Sequence, residues 1–143
     1  MSYATITDLR QWIDEAALVQ LTDDADTGVT NEAIVAAVLD SASAEIDGYL
    51  GGRYTLPFAS PPAILAKLCV DIGGWLLHIR RDMGAPDHWQ KRYDNAIAFL
   101  EKAAQGKITL GVGDPVKAAG ADQATVTGPE RLFGRDRDGM GDW

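Results

Sequence analysis

A long amphipathic segment between residues 62 and 84 dominates this sequence. Large apolar residues recur there at intervals of three and four, which is the repeat of a helix face at least about 100° wide. These residues are Ile64, Leu65, Leu68, Ile72, Trp75, Leu76 and Ile79. Proline suits the start of a helix and glycine its end, so Pro62 and Gly84 are predicted to bound one helix. A face this wide must be covered by other helices.

Three further segments show the same helical repeat. They predict helices over residues 7–21, with Thr7 as the N-cap, over 31–50 and over 86–106. Two glycines follow the helix over 31–50 and are predicted to end it in the left-handed conformation; they are Gly51 and Gly52. The expected fold is all-α, a compact bundle of about four helices with an extended C-terminal arm.

Five large residues on these stripes are predicted to be buried in the core: Leu39, Leu68, Ile72, Trp75 and Leu100. Gly73 and Gly74 lie off the stripe of their helix. A glycine in a helix interior costs about 1 kcal/mol relative to alanine. We therefore expect another backbone to approach closely at these glycines, within the fold or across an oligomer contact.

The composition changes after Gly106. Residues 113–128 are mainly small or polar and have little to bury, whereas 130–143 again contain large apolar residues. We predict a helical core over residues 1–106 and an extended arm over 107–143. The arm is predicted to form an interface through Leu132, Phe133, Arg135, Asp136 and Trp143.

The chain's length and charge limit its possible functions. Its 143 residues fit one domain, and its net charge of −8 should repel the phosphates of nucleic acids. A protein that reads DNA grooves is therefore not expected. No apolar run approaches the roughly 20 residues of a membrane helix, and the N-terminus lacks the pattern of a signal peptide. With Cys69 as the single cysteine, the sequence predicts an intracellular protein without membrane contact.

The acidic loop over residues 23–32 resembles a calcium loop in composition but not in spacing. If Gly28 takes the turn position, the third, fifth and twelfth positions are Ala, Thr and Ile, which is not the ligand pattern of an EF-hand. We expect a solvated loop that caps a helix. A shortened metal site built from Asp24, Asp26 and Glu32 stays open as the alternative.

No other residue pattern indicates catalysis or cofactor binding. Cys69 and His78 are nine residues apart on one predicted helix, which places them on opposite faces, and His88 starts another helix. No phosphate-binding loop or nucleophile elbow is present. Asp71 is expected to pair with Lys67, four residues earlier. We predict no catalytic residue, no metal and no cofactor, and hence a protein that is not an enzyme.

Glu45 falls inside the apolar stripe of its predicted helix. A buried carboxylate is costly unless it is paired, and Arg53, Arg80 and Arg81 are candidate partners, with Arg53 preferred. One interpretation is a general acid with a raised pKa. The other, which we favour, is a structural ion pair, because no second carboxylate or nucleophile stands at a defined spacing.

Several stretches of this sequence together carry a family resemblance. The most specific is residues 43–57, SAEIDGYLGGRYTLP. The others are residues 3–9 with 20–23, residues 91–96 with 106–111, and residues 131–136, RLFGRD. With these motifs the chain resembles the Mu-type phage head–tail connector (head-completion or adaptor) family over nearly its whole length.

The resemblance implies a structural virion protein and supplies no catalytic residue. Related connectors form a ring of twelve copies that joins the portal to the tail proteins and continues the DNA channel. It thus implies self-association, portal and tail partners, and DNA that passes without specific binding. The location implied is the virion, and the host cytoplasm during assembly. An acidic channel wall would let DNA slide without sticking.

Two other function classes stay open. One is an acidic, non-enzymatic phage or prophage protein that binds a host or phage protein through its C-terminal arm. The other is a hydrolase or nuclease of unrecognised type, for which the sequence holds no recognisable set of site residues.

Overall fold

The computed structural model describes residues 2–81 and 84–110, and five helices form there. They are α1 (Ile6–Arg10), α2 (Glu15–Thr22), α3 (Glu32–Leu50), α4 (Ala63–Ile79) and α5 (Asp87–Ala104). The described residues contain no strand, so the predicted all-α class is confirmed. The helices number five because the first predicted helix is divided in two.

The division lies between α1 and α2, and the single helix predicted over residues 7–21 is wrong. Thr5, and not Thr7, caps α1 through a capping box. Asp14 then starts α2, because its carboxylate accepts a backbone N–H of the first turn at 2.8 Å. The turn between the two helices keeps Ile13 in the core.

The α3 helix begins as predicted but ends differently. The Asn31 side chain caps it by accepting a hydrogen bond from the N–H of Ala33 at 3.1 Å. Gly51 has a φ of −63°, so the left-handed ending predicted for Gly51 and Gly52 is wrong. The helical turn continues through Gly51 because its N–H donates to the carbonyl oxygen of Asp47 at 2.8 Å.

Residues 53–62 cross from α3 to α4 along the core. Tyr54 and Phe58 are buried, with 5.8 Å between their ring centroids, and Leu56 packs at the edge of the core. The peptide bond between Leu56 and Pro57 is cis. Tyr54 and Phe58 thus anchor the crossing to the helices.

The α4 helix occupies the middle of the fold and contacts all four other helices, most extensively α3 and α5. Four of the five predicted core residues are buried, namely Leu39, Leu68, Ile72 and Leu100. The prediction for Trp75 is wrong. Its ring is only partly buried because it stacks near the surface on the ring of Tyr93, with 3.9 Å between the centroids.

Gly73 and Gly74 lie where side chains of the neighbouring helices press against α4. A Cβ atom on Gly73 would be 2.9 Å from Cδ2 of Leu39, and one on Gly74 would be 2.3 Å from the ring of Trp89. A close approach does occur at both glycines, but side chains within the fold make it and not a second backbone.

The described part of the chain ends shortly after α5. Gly106 follows that helix with a φ of 78°, a left-handed ending that glycine favours. Leu110 is buried against the core. The rest of the predicted arm, residues 111–143, lies outside the described residues. Within the described ranges, no helix has the length and apolar character needed to cross a membrane.

Candidate interaction surfaces

A buried carboxylate joins α4 to α5. Asp71 is 1% exposed, and its Oδ1 accepts a hydrogen bond from Nε of Arg92 at 2.9 Å and lies 2.6 Å from Nη2. Its Oδ2 accepts a hydrogen bond from Nζ of Lys67 at 2.7 Å, so the predicted Lys67–Asp71 pair is confirmed. A charge this deeply buried needs compensation, and these two cations provide it.

The guanidinium of Arg92 lies between two indole rings. Its Cζ is 4.4 Å from the ring centroid of Trp12 and 4.8 Å from that of Trp89, within the range of cation–π contacts. Trp89 is buried, but Trp12 is 56% exposed. The ion pair beneath therefore holds a large aromatic side chain in place at the surface, and tryptophan is enriched among the residues that dominate protein interfaces.

We call Trp12 and the hollow beside it the Trp12 surface. The hollow lies between α1, the turn that follows it, and α4, and its lining residues are Asp8, Gln11, Trp12, Ala66, Lys67 and Val70. Trp12 was not predicted from the sequence as a surface residue. A signal was present, because a tryptophan beside buried Ile13 but off the apolar stripe has no core to enter.

Glu45, predicted to be buried and paired with Arg53, is half-buried on α3. Its Oε2 accepts a hydrogen bond from the hydroxyl of Tyr93 at 3.0 Å, and no ion pair joins it to an arginine of the described residues. Arg53 instead packs against Gly106 and lies 6.0 Å over the ring of Tyr54. Burial, as the larger cause, and the hydrogen bond to Glu45, as the smaller one, raise the pKa of Tyr93 to about 12.

The acidic loop after α2 is held by its own carboxylates. Asp23 accepts hydrogen bonds from the backbone N–H groups of Thr27 and the next residue, at 2.8 and 2.6 Å. Asp24 pairs with Arg80 and with Arg81, whose Nη1 lies 3.1 Å from Oδ1. These hydrogen bonds lower the pKa of both carboxyl groups, and the arginines attach the loop to the C-terminal end of α4.

Several of the groups considered as metal ligands or nucleophiles are engaged elsewhere. Glu32 pairs with Arg10, and the thiol of Cys69 is buried 3.4 Å from Oγ of Ser43; burial raises the pKa of that thiol. His78 Nδ1 lies 2.7 Å from the carbonyl oxygen of Gly74. Within residues 2–81 and 84–110, no group of three or more His, Cys, Asp or Glu side chains is arranged to hold a metal ion.

Residues 2–5 run along α3 before α1 begins. The N–H of Tyr3 donates to Oγ of Ser43 at 2.9 Å, and its hydroxyl donates to the carboxylate of Asp47. Burial and this carboxylate raise the pKa of Tyr3 above its usual range. Ala4 is buried at the next position. These contacts fix the N-terminal segment against the second half of α3.

A groove of about 550 Å³ lies between the N-terminal segment and the first half of α3. Val35 and Leu39 are buried beneath it, and the exposed side chains of Glu32 and Asp40 border it. We call it the α1–α3 groove; most of its other lining residues are small or apolar and include Ala4, Ile6, Ala33 and Ala36. It lies on the α3 side of α1, whereas the Trp12 surface lies on the α4 side.

The interface residues predicted in the arm lie outside the described residues. They are Leu132, Phe133, Arg135, Asp136 and Trp143. Their role stays a prediction.

Comparison with known proteins agrees with the motifs in the sequence. A family model described as Bacteriophage Mu, Gp36 matches residues 3–127. Gene product J of Escherichia phage Mu is 30% identical over 144 residues, which cover 98% of this chain and 99% of that protein. The Mu-like prophage FluMu protein gp36 of Haemophilus influenzae is 44% identical over 84 residues, which cover 59% of this chain and 57% of that protein. The chain described here therefore belongs to the bacteriophage Mu Gp36 family of phage and prophage proteins.

Proposed function

We propose that this protein is a structural virion protein, a head–tail connector subunit that forms a ring between portal and tail and continues the DNA channel. The observation that carries the proposal is the match to the Mu Gp36 family over residues 3–127, which includes the whole helical core. The protein would act by binding other proteins and not as an enzyme. It would be made in the host cytoplasm and end in the virion.

The surface of the core supports a role in assembly. Trp12 is exposed yet held by Arg92, and the α1–α3 groove offers a second, mainly apolar surface on the other side of α1. Two different surfaces on one subunit suit a head-to-tail contact, which closes into a ring when the rotation between copies allows it. A ring of twelve copies is the expected form.

The charge of the chain supports passage of DNA without specific binding. The net charge of −8 disfavours stable contacts to phosphates. The portal and tail proteins would be the partners, and the arm, with Phe133 and Trp143 as aromatic anchors, would supply part of the contact to a neighbouring subunit or to the portal side.

Electron microscopy of particles tests this function. A phage or prophage that lacks this gene is complemented with the full chain or with a chain that stops after Gly128. We expect joined virions with the full chain and separate heads and tails with the truncated one. Thermal unfolding of dilute protein serves as the control, and the melting temperature should be the same for both chains.

Two results would count against the proposal. Virions that assemble without this protein, or that do not contain it, would exclude the connector function. If truncation unfolds the dilute monomer, the assembly defect is secondary and the arm is not an interface.

A further inference from the structure

The α1–α3 groove has the form of a site for a short peptide segment. Its volume of about 550 Å³ lies within the range of about 300–1,000 Å³ of ligand pockets. Exposed Ala33 and Ala36, with half-buried Ile6, supply its accessible apolar surface, and the side chains of Val35 and Leu39 are buried beneath them. One or two apolar side chains of a partner would cover this surface.

The edges of the groove are acidic. Glu32 and Asp40 stand eight residues apart on α3, which corresponds to about 12 Å along a helix. Asp40 forms no ion pair within the described part of the chain, and Glu32 shares its charge only with Arg10. Residues 1–52 contain ten Asp and Glu residues, with Arg10 as the one basic residue. The occupant should therefore have an apolar centre and positive ends.

The arm of this chain contains a segment with that pattern. In residues 131–137, RLFGRDR, the apolar pair Leu132 and Phe133 is flanked by Arg131 and Arg135. The two arginines are four residues apart, which corresponds to about 13 Å of extended chain. This spacing matches the distance along α3 between the two acidic residues at the edges of the groove.

The linker is long enough to reach a second subunit. Twenty residues separate Leu110 from Arg131, and they can span up to about 70 Å. The groove and the segment are different parts of one chain, so their exchange between copies gives the head-to-tail contact that a ring requires.

We propose that the α1–α3 groove binds residues 131–137 of a neighbouring copy of this chain. Leu132 and Phe133 would pack on Ile6, Ala33 and Ala36, while Arg131 would pair with Glu32 and Arg135 with Asp40. The proposal rests on the proposed ring and adds to it the surface that receives the arm.

Disulfide trapping between two full-length chains tests the docking. One chain carries Ala36→Cys in the groove, and a differently tagged chain carries Phe133→Cys; the native Cys69 is buried in both. We expect a cross-linked dimer of the two chains under mild oxidation. Ala98→Cys is the matched control, since Ala98 is an exposed alanine on α5, and it should yield about tenfold less cross-linked dimer with the same partner.

A charge exchange tests the acidic edge in the same assay. Asp40→Lys in the groove chain should lower the cross-link yield about tenfold, because a like charge then faces Arg135. Arg135→Asp in the partner chain should restore it. Asp40 is exposed, so the variant is expected to keep its fold, and circular dichroism verifies this.

The contradicting outcomes are distinct. Equal cross-link yields with Ala36→Cys and Ala98→Cys would overturn docking between copies. A chain that carries both Ala36→Cys and Phe133→Cys and forms its disulfide only internally would do the same. Rings or virions that assemble from the two cysteine variants but give no cross-link between positions 36 and 133 on oxidation would also overturn the docking and leave the connector function intact. Absence of the protein from virions would exclude that function whatever the cross-link result.

Discussion

Asp71 shows how a single polar residue can organise the surface above it. The carboxylate is buried in α4, yet it positions Arg92 of α5, and Arg92 in turn holds the exposed ring of Trp12. A buried charge is a weak source of net stability but a strong constraint on geometry when its partners come from different helices. The orientation of Trp12 therefore depends on a residue that no partner would touch.

Removal of Arg92 should be much more destabilising than removal of Lys67. Arg92→Met leaves Asp71 buried with one remaining cation, and we expect a loss of about 3 kcal/mol in the free energy of unfolding. Lys67→Met is the matched control; its side chain is 60% exposed, so its loss should stay below about 1 kcal/mol. Urea denaturation measures both values. Equal losses would show that Arg92 is not the main partner.

The hydrogen bond from Tyr93 to Glu45 should be visible in an alkaline titration. The pKa of Tyr93 is raised to about 12, so the stability that its protonated hydroxyl contributes is complete below about pH 10 and is lost as the pH rises through 12. Ultraviolet difference spectra of tyrosinate measure the transition. We expect Tyr93→Phe to remove one group that titrates near pH 12.

Glu45→Gln is the companion variant, because it keeps the shape of the side chain and removes its charge. We expect the pKa of Tyr93 to fall in this variant but to stay above its ordinary value, because burial, the larger cause of the shift, remains. An unchanged late titration would mean that burial alone, and not Glu45, sets the pKa.

The partner of Glu45 could not be predicted from the sequence, although its place in the apolar stripe could. The stripe indicates which side of α3 faces inward but not which helix lies opposite. Tyr93 is 48 residues away, and it reaches Glu45 only because α5 packs beside α3. Arg53 was the nearest cation in sequence, but it packs against Gly106.

At the level of helices, some sequence signals with a local cause predicted the structure well, whereas the Thr7 cap and the left-handed ending at Gly51 and Gly52 were wrong. The Asn31 cap, the prolines before α4 and α5, and the left-handed Gly106 all act within a few residues. The break between α1 and α2 was missed because the apolar repeat continues through it. The cap at Asp14 was in the sequence, and it is the signal that should have outweighed the repeat.

The two adjacent glycines of α4 should respond differently to alanine. A Cβ on Gly74 would be 2.3 Å from the rigid ring of Trp89, so Gly74→Ala should lower the free energy of unfolding by about 1–3 kcal/mol. At Gly73 the nearest atom, 2.9 Å away, is the end of the flexible side chain of Leu39. There the helix preference for alanine, about 1 kcal/mol, should offset the crowding. Denaturant unfolding of both variants checks this, and equal losses would contradict the assigned contacts.

The loop after α2 should loosen in acid. Hydrogen bonds and charges from Arg80 and Arg81 lower the pKa of Asp24 below its usual 3.8, so the stability from this pair is complete above about pH 5. It is lost as the pH falls through the lowered pKa. Asp24→Asn should have a lower melting temperature than the wild type at pH 7. This difference in melting temperature should become smaller near pH 2. The same difference at both pH values would exclude this linkage.

For the whole molecule, the sequence predicted the fold class and four of five chosen core residues but neither surface proposed for assembly. The prediction for Trp75 was wrong because Trp89 fills the space beside Gly74. The spacing of apolar residues within one helix does not show which side chain of a neighbouring helix fills such a space. The α1–α3 groove joins residues 4–6 to residues 32–40. Surfaces of this kind arise from packing between distant segments, which a single sequence does not specify.

The central position of α4 predicts the order in which the backbone amides of the helices exchange with deuterium. Since α4 contacts all four other helices, its amides can exchange only when the whole core opens, and they should be the slowest in the molecule. The five-residue α1 has few neighbours and should exchange through small local openings. The proposed subunit assembly would then be recorded as slower exchange in α1 with little change in α4, so hydrogen-exchange mass spectrometry could test for ring formation without a change to the sequence.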